Sequence, residues 1–312
     1  MERFGYLVIT LIVFACVSGA SQAQVLYGAA TGQISGNAPS SLYRINPANG
    51  DAELIGPIGF NGVTGLEVLP GGRLVGSAHT NTEGGSAAVL IEIDRDTGAG
   101  SLIGILGDSS NPGECSRMPD LAFSCDLDRL YGYSDSCSGN TEGLHIINPD
   151  NGFAFSIGPS GFENGGNGLA IQPGTSNIFG TPIDATGLVI LNRITGAGTI
   201  IPASVGNVPN AINAMDFNPE TGVLFGSFKD FEDILGNGDR ESYLVTINIL
   251  DGNITVIGQT ILGLDAIVFF EEFEDCGFVG SIPTLSEWGL MAMAGLLGVI
   301  CLLAIRKRKV AA

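Results

Sequence analysis

The chain has few of the side chains on which most catalytic and nucleic-acid-binding sites depend. Only two of its 312 residues are histidines, His79 and His145, which excludes a histidine-rich metal site. Lysine and arginine number 13 against 32 aspartates and glutamates, and the formal net charge is −19. Because such a charge repels phosphate backbones, we expect no nucleic acid partner. Glycine is abundant, with 47 residues, but it follows no three-residue period, which excludes collagen.

The first 23 residues are typical of a secretory signal peptide. Arg3 precedes an apolar run from Phe4 to Val17, and Ser21-Gln22-Ala23 supplies small residues for cleavage before Gln24. An uncleaved membrane anchor is the weaker interpretation, because this run is shorter than the roughly 20 residues of a bilayer span.

The last segment, residues 277–312, contains an apolar stretch followed by a basic cluster. Trp288 to Ile305 carries no charge, and Arg306, Lys307, Arg308 and Lys309 follow it directly. This pattern predicts a transmembrane helix over 288–305 whose basic end stays cytoplasmic.

A short motif stands just before that stretch, made of Ile282, Pro283, Thr284, Leu285, Trp288 and Gly289. Together with the apolar stretch and the basic cluster it resembles the IPTL-CTERM sorting tail of Gram-negative bacteria. The resemblance implies recognition by an exosortase-type membrane transpeptidase. It also implies an exported precursor anchored in the inner membrane, cleavage near the motif, and transfer to the cell surface or extracellular matrix. A plain C-terminal anchor that is never processed is the alternative.

The body, residues 24–276, consists of repeats. A turn motif that begins with an apolar residue followed by Asn or Asp and ends in Gly occurs five times, at residues 45–50, 93–98, 147–152, 191–196 and 247–252. Each copy follows a β-rich run and predicts a hairpin. A Leu-aromatic-Gly type of strand recurs five times, and an Ile-Gly pair closes every unit except the fourth, where Ile200-Ile201 stands. Four strands in about 50 residues is the size of a β-propeller blade.

The two ends of the body complement each other. The mature chain starts on a second strand, and a surplus strand, residues 264–270, follows the fifth unit. We therefore predict an all-β fold, a five-bladed β-propeller in which residues 264–270 join the blade begun by residues 25–56. An open stack of sheets or a pair of sandwiches is the alternative.

Four cysteines remain in the body, an even number that favours two disulfides in an oxidising compartment. Cys115 precedes the first strand of the third unit and Cys137 follows its second strand, at the same end of the sheet. Cys125 and Cys276 lie at the opposite end. The predicted bonds are Cys115–Cys137 and Cys125–Cys276.

No catalytic constellation is found. We expect His145 on the solvent side of a strand and His79 in a polar loop, neither of them as a catalytic base. Asp120, Asn167, Asn213 and Asp265 begin the innermost strands and predict a polar ring in the channel that binds a cation or a sugar hydroxyl. The favoured interpretation is that these are turn and strand-entry residues that face channel water.

An acidic loop near residue 236 supplies a candidate calcium site. Asp233, Asn237 and Asp239 offer hard oxygen ligands between glycines, with Asp230, Glu232 and Glu241 nearby. The spacing does not match a helix-loop-helix calcium site, and a solvated acidic loop is the favoured interpretation.

The sequence as a whole predicts a non-enzymatic binding or structural protein without a certain cofactor, with a glycan or an envelope polymer as partner. The alternative is a surface glycosidase or lactonase-like hydrolase that uses the mouth of the channel.

Overall fold

The computed structural model describes residues 24–32, 39–79, 87–108, 111–112, 115–137, 142–162, 166–183, 187–207, 212–230 and 241–270. In these ranges the helical elements are three short 3-10 turns, Pro70–Gly72, Cys125–Leu127 and Pro202–Ser204, and the fold is all-β. The strands are β1 (Leu26–Ala30), β2 (Pro39–Ile45), β3 (Ala52–Leu69), β4 (Arg73–His79), β5 (Ala88–Ile93), β6 (Gly100–Ile105), β7 (Gly107–Asp108), β8 (Asn111–Pro112), β9 (Cys115–Arg117), β10 (Asp120–Ser124), β11 (Arg129–Ser134), β12 (Ser136–Cys137), β13 (Gly143–Ile147), β14 (Ala154–Gly158), β15 (Gly166–Ile171), β16 (Ile178–Pro182), β17 (Val189–Leu191), β18 (Gly198–Ile200), β19 (Ile212–Phe217), β20 (Leu224–Lys229), β21 (Ser242–Ile247), β22 (Ile254–Gln259) and β23 (Leu264–Phe269).

The strands pair within the predicted repeats. Three four-stranded sheets have the orders β10-β11-β13-β14, β15-β16-β17-β18 and β19-β20-β21-β22, and we call them units 3, 4 and 5. A seven-stranded sheet has the order β23-β1-β2-β3-β4-β5-β6. The long strand β3 pairs with β2 through its first half and with β4 through its second half. This sheet therefore contains unit 1 (β23, β1, β2, first half of β3) and unit 2 (second half of β3, β4, β5, β6).

The five predicted turn motifs form hairpins, as expected. In the first copy the backbone N–H of Gly50 donates to the carbonyl of Asn46 at 2.8 Å, and Gly50 has a φ of 81°. The Asn46 side-chain oxygen accepts from the N–H of Ala48 at 2.9 Å. The Asx side chain and the glycine thus both shape the turn, and the other four copies repeat these bonds.

The predicted pairing of the two chain ends is confirmed. β23 pairs antiparallel with β1, with Gly28 opposite Ile267 and Tyr27 opposite Val268. The strand missing from the first repeat is thus supplied by the residues that precede the C-terminal tail.

Close backbone contacts explain why the Ile-Gly pairs recur. A Cβ at Gly56 would overlap the Thr97 carbonyl in the turn of unit 2, and a Cβ at Gly258 would overlap the Asn49 carbonyl in the turn of unit 1. Gly104 and Gly158 meet the turns of units 3 and 4 in the same way. The closing strands of units 1, 2, 3 and 5 therefore each pack against the turn of the next unit, and unit 5 packs against unit 1.

The hydrophobic core is divided among the junctions between units. Within the described residues there are five buried clusters, and each combines side chains of two neighbouring units. Leu26 and Ile267 of unit 1, for example, share a cluster with Phe225 and Leu244 of unit 5. The innermost strands, namely the second half of β3, β10, β15, β19 and β23, contact one another in a cycle. This is a propeller-like β fold.

Several predicted features cannot be compared with the structure. The signal peptide, the sorting motif, the segment 288–305 and the basic cluster lie outside the described residues. Among those that are described, no helix is long and apolar enough to cross a membrane.

Candidate functional site at the ring axis

The axis is lined by the free edges of the five innermost strands. An edge strand presents backbone N–H groups that no neighbouring strand accepts, and a buried N–H without an acceptor is costly. Three acidic side chains of the same strands supply acceptors here, and each accepts the N–H of another unit.

Asp120, the first residue of β10, occupies the centre. It is 0% exposed. Its Oδ2 accepts from the N–H of Leu169 at 2.8 Å and of Met215 at 3.1 Å, and its Oδ1 accepts from the N–H of Leu121 at 3.0 Å. Burial raises the pKa of Asp120 well above its usual range, and the three N–H donors oppose that rise. One carboxyl group thus links unit 3 to units 4 and 5.

Small residues make room for this carboxyl group. The five innermost strands can be aligned through their pairing with the second strand of each unit. In this alignment the positions equivalent to Asp120 are Gly65, Gly168, Ala214 and Ala266. A Cβ at Gly65 would come within 3.0 Å of the Asp120 backbone. A second large side chain at this level would have no space.

Two further carboxyl groups lie two residues farther along their strands than the level of Asp120, toward the C-terminal end of β23. Glu67 accepts from the N–H of Val68 and of Phe123, both at 2.7 Å. Asp216 accepts from the N–H of Phe217 at 2.8 Å and of Phe269 at 2.6 Å. Glu67 therefore links unit 2 to unit 3, and Asp216 links unit 5 to unit 1.

Both of these carboxyl groups border a cavity of about 70 Å³. Glu67 and Asp216 are each partly exposed. The pKa of Glu67 is raised well above its usual range, first by burial and then by the negative charge of Asp216. A proton held by this pair would relieve the repulsion between two carboxylates.

A polar chain lies at the opposite end of the axis. Asn167 donates from Nδ2 to Oδ1 of Asn213 at 2.9 Å, and Asn213 donates from Nδ2 to Oδ1 of Asp265 at 3.3 Å. Lys229 forms a buried ion pair with the same oxygen of Asp265. Burial raises the pKa of Asp265, although Lys229 and Asn213 act against the rise. The chain connects units 4, 5 and 1.

These links complete the circle. Glu67 joins units 2 and 3, Asp120 joins units 3 and 4, Asn167 joins units 4 and 5, and Asp216 joins units 5 and 1, while the continuous strand β3 joins units 1 and 2. The axis is therefore a set of hydrogen bonds between inner strands rather than a row of side chains turned toward solvent.

The structure places the predicted channel residues at two levels of the axis. Asn167, Asn213 and Asp265 lie together, but Asp120 lies at the next level along the axis and bonds to backbone N–H groups instead. The expectation that these residues face channel water is wrong for the two acids, since Asp120 is 0% and Asp265 5% exposed. Asp120 is buried where it accepts backbone N–H groups of units 4 and 5, and Asp265 where it pairs with Lys229 and Asn213.

Sequence reasoning missed Glu67, Asp216 and Lys229. The sequence did contain a signal for Glu67 and Asp216. Of the five innermost strands, only these two have an acid directly after the central apolar residue. Lys229 gave no signal, since it ends a second strand and reaches Asp265 only after the ring has closed.

The structure describes both histidines. The expectation that His145 lies on the solvent side of its strand is wrong: it is 3% exposed, and its Nδ1 lies 3.1 Å from the carbonyl of Gly143. His79 ends β4, and burial together with the charge of Arg117 lowers its pKa. In the described ranges no group of three or more His, Cys, Asp or Glu side chains could hold a metal ion. The calcium candidates Asp233, Asn237 and Asp239 lie outside those ranges.

The backbone fits the first predicted disulfide. β9 pairs with β12, and Cys115 stands opposite Cys137 in their register. Facing residues of an antiparallel pair have Cα atoms about 4.5 to 5.5 Å apart, which a disulfide can span. Cys125 is disulfide-bonded, whereas Cys276 lies outside the described residues. Both pairings stay predictions.

The comparison with protein families concerns the tail. The chain carries an IPTL-CTERM motif. The match to that family covers residues 281–307, which include the predicted sorting motif and part of the basic cluster. No curated protein matches the chain.

Solved structures with similar folds are distant in sequence. The nidogen/laminin complex contains a chain with 8% identity and a TM-score of 0.49, and the alignment covers 80% of this chain and 99% of that one. A gluconolactonase from Xanthomonas campestris shows 14% identity and a TM-score of 0.47, with 78% and 79% of the two chains covered.

Proposed function

We propose that this protein is an exported, non-enzymatic binding or structural protein, a five-bladed β-propeller delivered to the cell surface or matrix by its IPTL-CTERM tail. The five repeats, the five clusters between units and the pairing of β23 with β1 support the blade number. The tail supports an exosortase-type enzyme as a processing partner, and a glycan or envelope polymer is the proposed ligand of the displayed ring.

One observation carries the non-enzymatic part of this proposal. The oxygens of Asp120, Glu67 and Asp216 accept backbone N–H groups of the inner strands. A general acid or base needs an oxygen that can reach the substrate. These acids are already engaged in holding the ring together.

The decisive experiment follows the tail in cells of the native host. Mass spectrometry of the surface-exposed protein should show a mature form that starts at Gln24 and lacks the basic cluster, and cell fractionation should place it outside the inner membrane. In Trp288→Ala the uncleaved precursor should accumulate in the inner membrane. Ser286→Ala, at a variable position of the motif, is the matched control and should be processed like the wild type. Equal processing of both variants would contradict sorting through the motif.

A hydrolase is the second candidate, because Glu67 and Asp216 place two carboxyl groups beside one cavity and the pKa of Glu67 is raised. Retaining and inverting glycosidases both use such pairs. Incubation with a panel of glycans and lactones should give binding without turnover if the first proposal is right. Turnover that disappears in Glu67→Gln, Asp120→Asn or Asp265→Asn would establish the hydrolase instead.

A further inference from the structure

A second and larger cavity, of about 590 Å³, lies between units 2 and 3. Unit 2 contributes the start of the 3-10 turn Pro70–Gly72, and unit 3 contributes the starts of β11 and β14 and the turn between β13 and β14. The lining is mostly apolar and includes a few polar side chains. Cavities of about 300–1,000 Å³ with this composition are typical of sites for small ligands.

An apolar patch of unit 3 forms one wall of this cavity. Phe155 stands opposite Ile146 in the pairing of β13 with β14, and 59% of Phe155 is exposed. Phe153, which also borders the cavity, is half-buried. Adjacent exposed apolar side chains of this kind mark a contact site when folding does not account for them.

The other repeats show that folding does not require these phenylalanines. The position of Phe155 holds a polar residue in every other unit, namely Glu53, Ser101, Thr199 and Thr255. The position of Phe153, directly after the turn glycine, holds Asp51, Ala99, Ala197 and Asn253. Because the same hairpin forms in all five units, the two aromatic side chains of unit 3 need another explanation.

An acceptor and a donor that are adjacent in the chain lie next to the apolar patch. Asp128 and Arg129 both border the cavity, and both are exposed. Within the described ranges, neither side chain has a hydrogen-bond or ion-pair partner. The basic side chains that do pair with an acid there are Arg44, Arg73, Arg117 and Lys229. The Asp128 carboxylate and the Arg129 guanidinium are therefore available to a ligand.

The charges around the cavity cancel. Arg73 also borders it, and the guanidinium of Arg73 lies 2.9 Å from the Glu92 carboxylate and 3.6 Å from that of Asp150. The lining thus holds two arginines and two aspartates, on a chain whose net charge is −19. Since the chain as a whole repels anions and the cavity has no surplus positive charge to offset this, an uncharged ligand is favoured.

We infer that this cavity binds an uncharged pyranose sugar, whose ring stacks on Phe155 and whose neighbouring hydroxyl groups bond to Asp128 and Arg129. A pyranose ring has an apolar C–H face and an edge of hydroxyl groups that both donate and accept. It therefore matches an exposed phenyl ring beside one acceptor and one donor. The inference rests on the proposed binding function and gives its ligand a chemical class and a place on the ring.

Isothermal titration of the full chain, purified in detergent, tests the inference. The probes are the linear neutral pentasaccharides of glucose, mannose and galactose, with the pentasaccharide of galacturonic acid as the charged comparison. At least one neutral probe should bind. Its affinity should be the same at about 50 and about 500 mM NaCl, because an uncharged ligand offers salt no charge to screen.

Three variants test the proposed contacts. Phe155→Thr introduces the residue that units 4 and 5 carry at this position, and it should weaken binding of the neutral probe at least about tenfold, because an aromatic anchor is lost. Arg129→Ala removes the donor and should weaken binding at least about fivefold. Leu102→Ala is the matched control, since Leu102 lies on β6 of unit 2, is 58% exposed and does not border the cavity. All three variants should melt at the temperature of the wild type, which separates lost binding from unfolding.

Each outcome decides between the site and the wider proposal. Weaker binding in Phe155→Thr and Arg129→Ala, with no change in Leu102→Ala, supports the inference. Unchanged binding in the first two variants would overturn it and leave the proposed binding function standing. Preferred binding of the galacturonic acid probe, weakened by salt, would also overturn it. A wild type that binds no probe would overturn both the inference and a glycan as the ligand, while sorting through the tail would be unaffected.

Discussion

Replacing Asp120 tests whether buried carboxyl groups hold the inner strands together. In Asp120→Ala the N–H groups of Leu121, Leu169 and Met215 lose their acceptor, while the position stays closed to solvent. In Asp120→Asn the amide oxygen can still accept from Leu169 and Met215, but the amide nitrogen then faces the N–H of Leu121, donor against donor.

The structure sets the size of the effect. A buried N–H without an acceptor costs about 1–3 kcal/mol, so the alanine variant, which leaves three of them, should lose about 3–9 kcal/mol of unfolding free energy. Total stabilities of about 5–15 kcal/mol are usual, so this loss leaves the fold marginal. The asparagine variant should lose at least about 2 kcal/mol less than the alanine variant, because it leaves one N–H without an acceptor instead of three.

Urea unfolding of the full chain in detergent, followed by far-UV circular dichroism, measures both variants. Asp96→Ala, in an exposed turn, is the matched control and should change the unfolding free energy by less than about 0.5 kcal/mol. If Asp120→Ala proved as stable as this control, the carboxyl group would not be holding the strands. An asparagine variant less stable than the alanine variant would show that the charge, rather than the acceptors, matters.

Three other expectations follow from the same contacts. Gly258→Ala should unfold at a clearly lower temperature than Gly226→Ala, because its methyl group would overlap a backbone carbonyl, whereas at Gly226 the nearest atom is a side-chain methyl 3.1 Å away; equal melting temperatures would contradict this. Lys229→Met should lower the unfolding free energy by about 3–5 kcal/mol, because it leaves the buried carboxyl group of Asp265 without its cation. Adding Asp265→Leu should recover most of that loss in the same urea assay. A double variant as unstable as the single one would refute this. Burial raises the pKa of Asp135 to about 6, so the folded state holds the proton of this group more tightly than the unfolded state does. The melting temperature should therefore fall as the pH rises from about 4 to about 6. Asp135→Asn should flatten this fall, and an unchanged profile in that variant would contradict the reasoning.

The repeats could be found in the sequence because each depends on local chemistry. The turn at residues 45–50 needs an Asx acceptor and a glycine with positive φ, and both are readable letter by letter. The closing strand could be predicted as well, since a chain that begins on a second strand and ends on a surplus one leaves two edges to pair. Local rules and a count of strands were thus sufficient for the arrangement of sheets.

The axis could not be predicted in the same way. Asp120 and Asp265 begin equivalent strands, yet one accepts backbone N–H groups from two other units and the other pairs with Lys229. These partners are far apart in the chain, and which of them a carboxyl group meets depends on the level of each strand along the axis. The role of Glu67 could not be predicted either, because the N–H of Phe123 reaches its carboxylate only when β10 lies beside β3.

The junction between units 4 and 5 shows how the ring tolerates a defect in its repeat. Elsewhere a glycine of the closing strand lets two backbones touch, but unit 4 carries Ile200-Ile201, and a β-branched side chain would prevent that approach. The side chain of Asn207 takes its place and donates to the carbonyls of Asp251, in the turn of unit 5, and of Ala203, at 2.8 and 3.1 Å. Since Asn207 is exposed and an exposed hydrogen bond is weaker than close backbone packing, this junction depends more on its buried cluster and on the Asn167–Asn213 bond than the others do. The axial polar chain is therefore most needed where the outer contact is weakest.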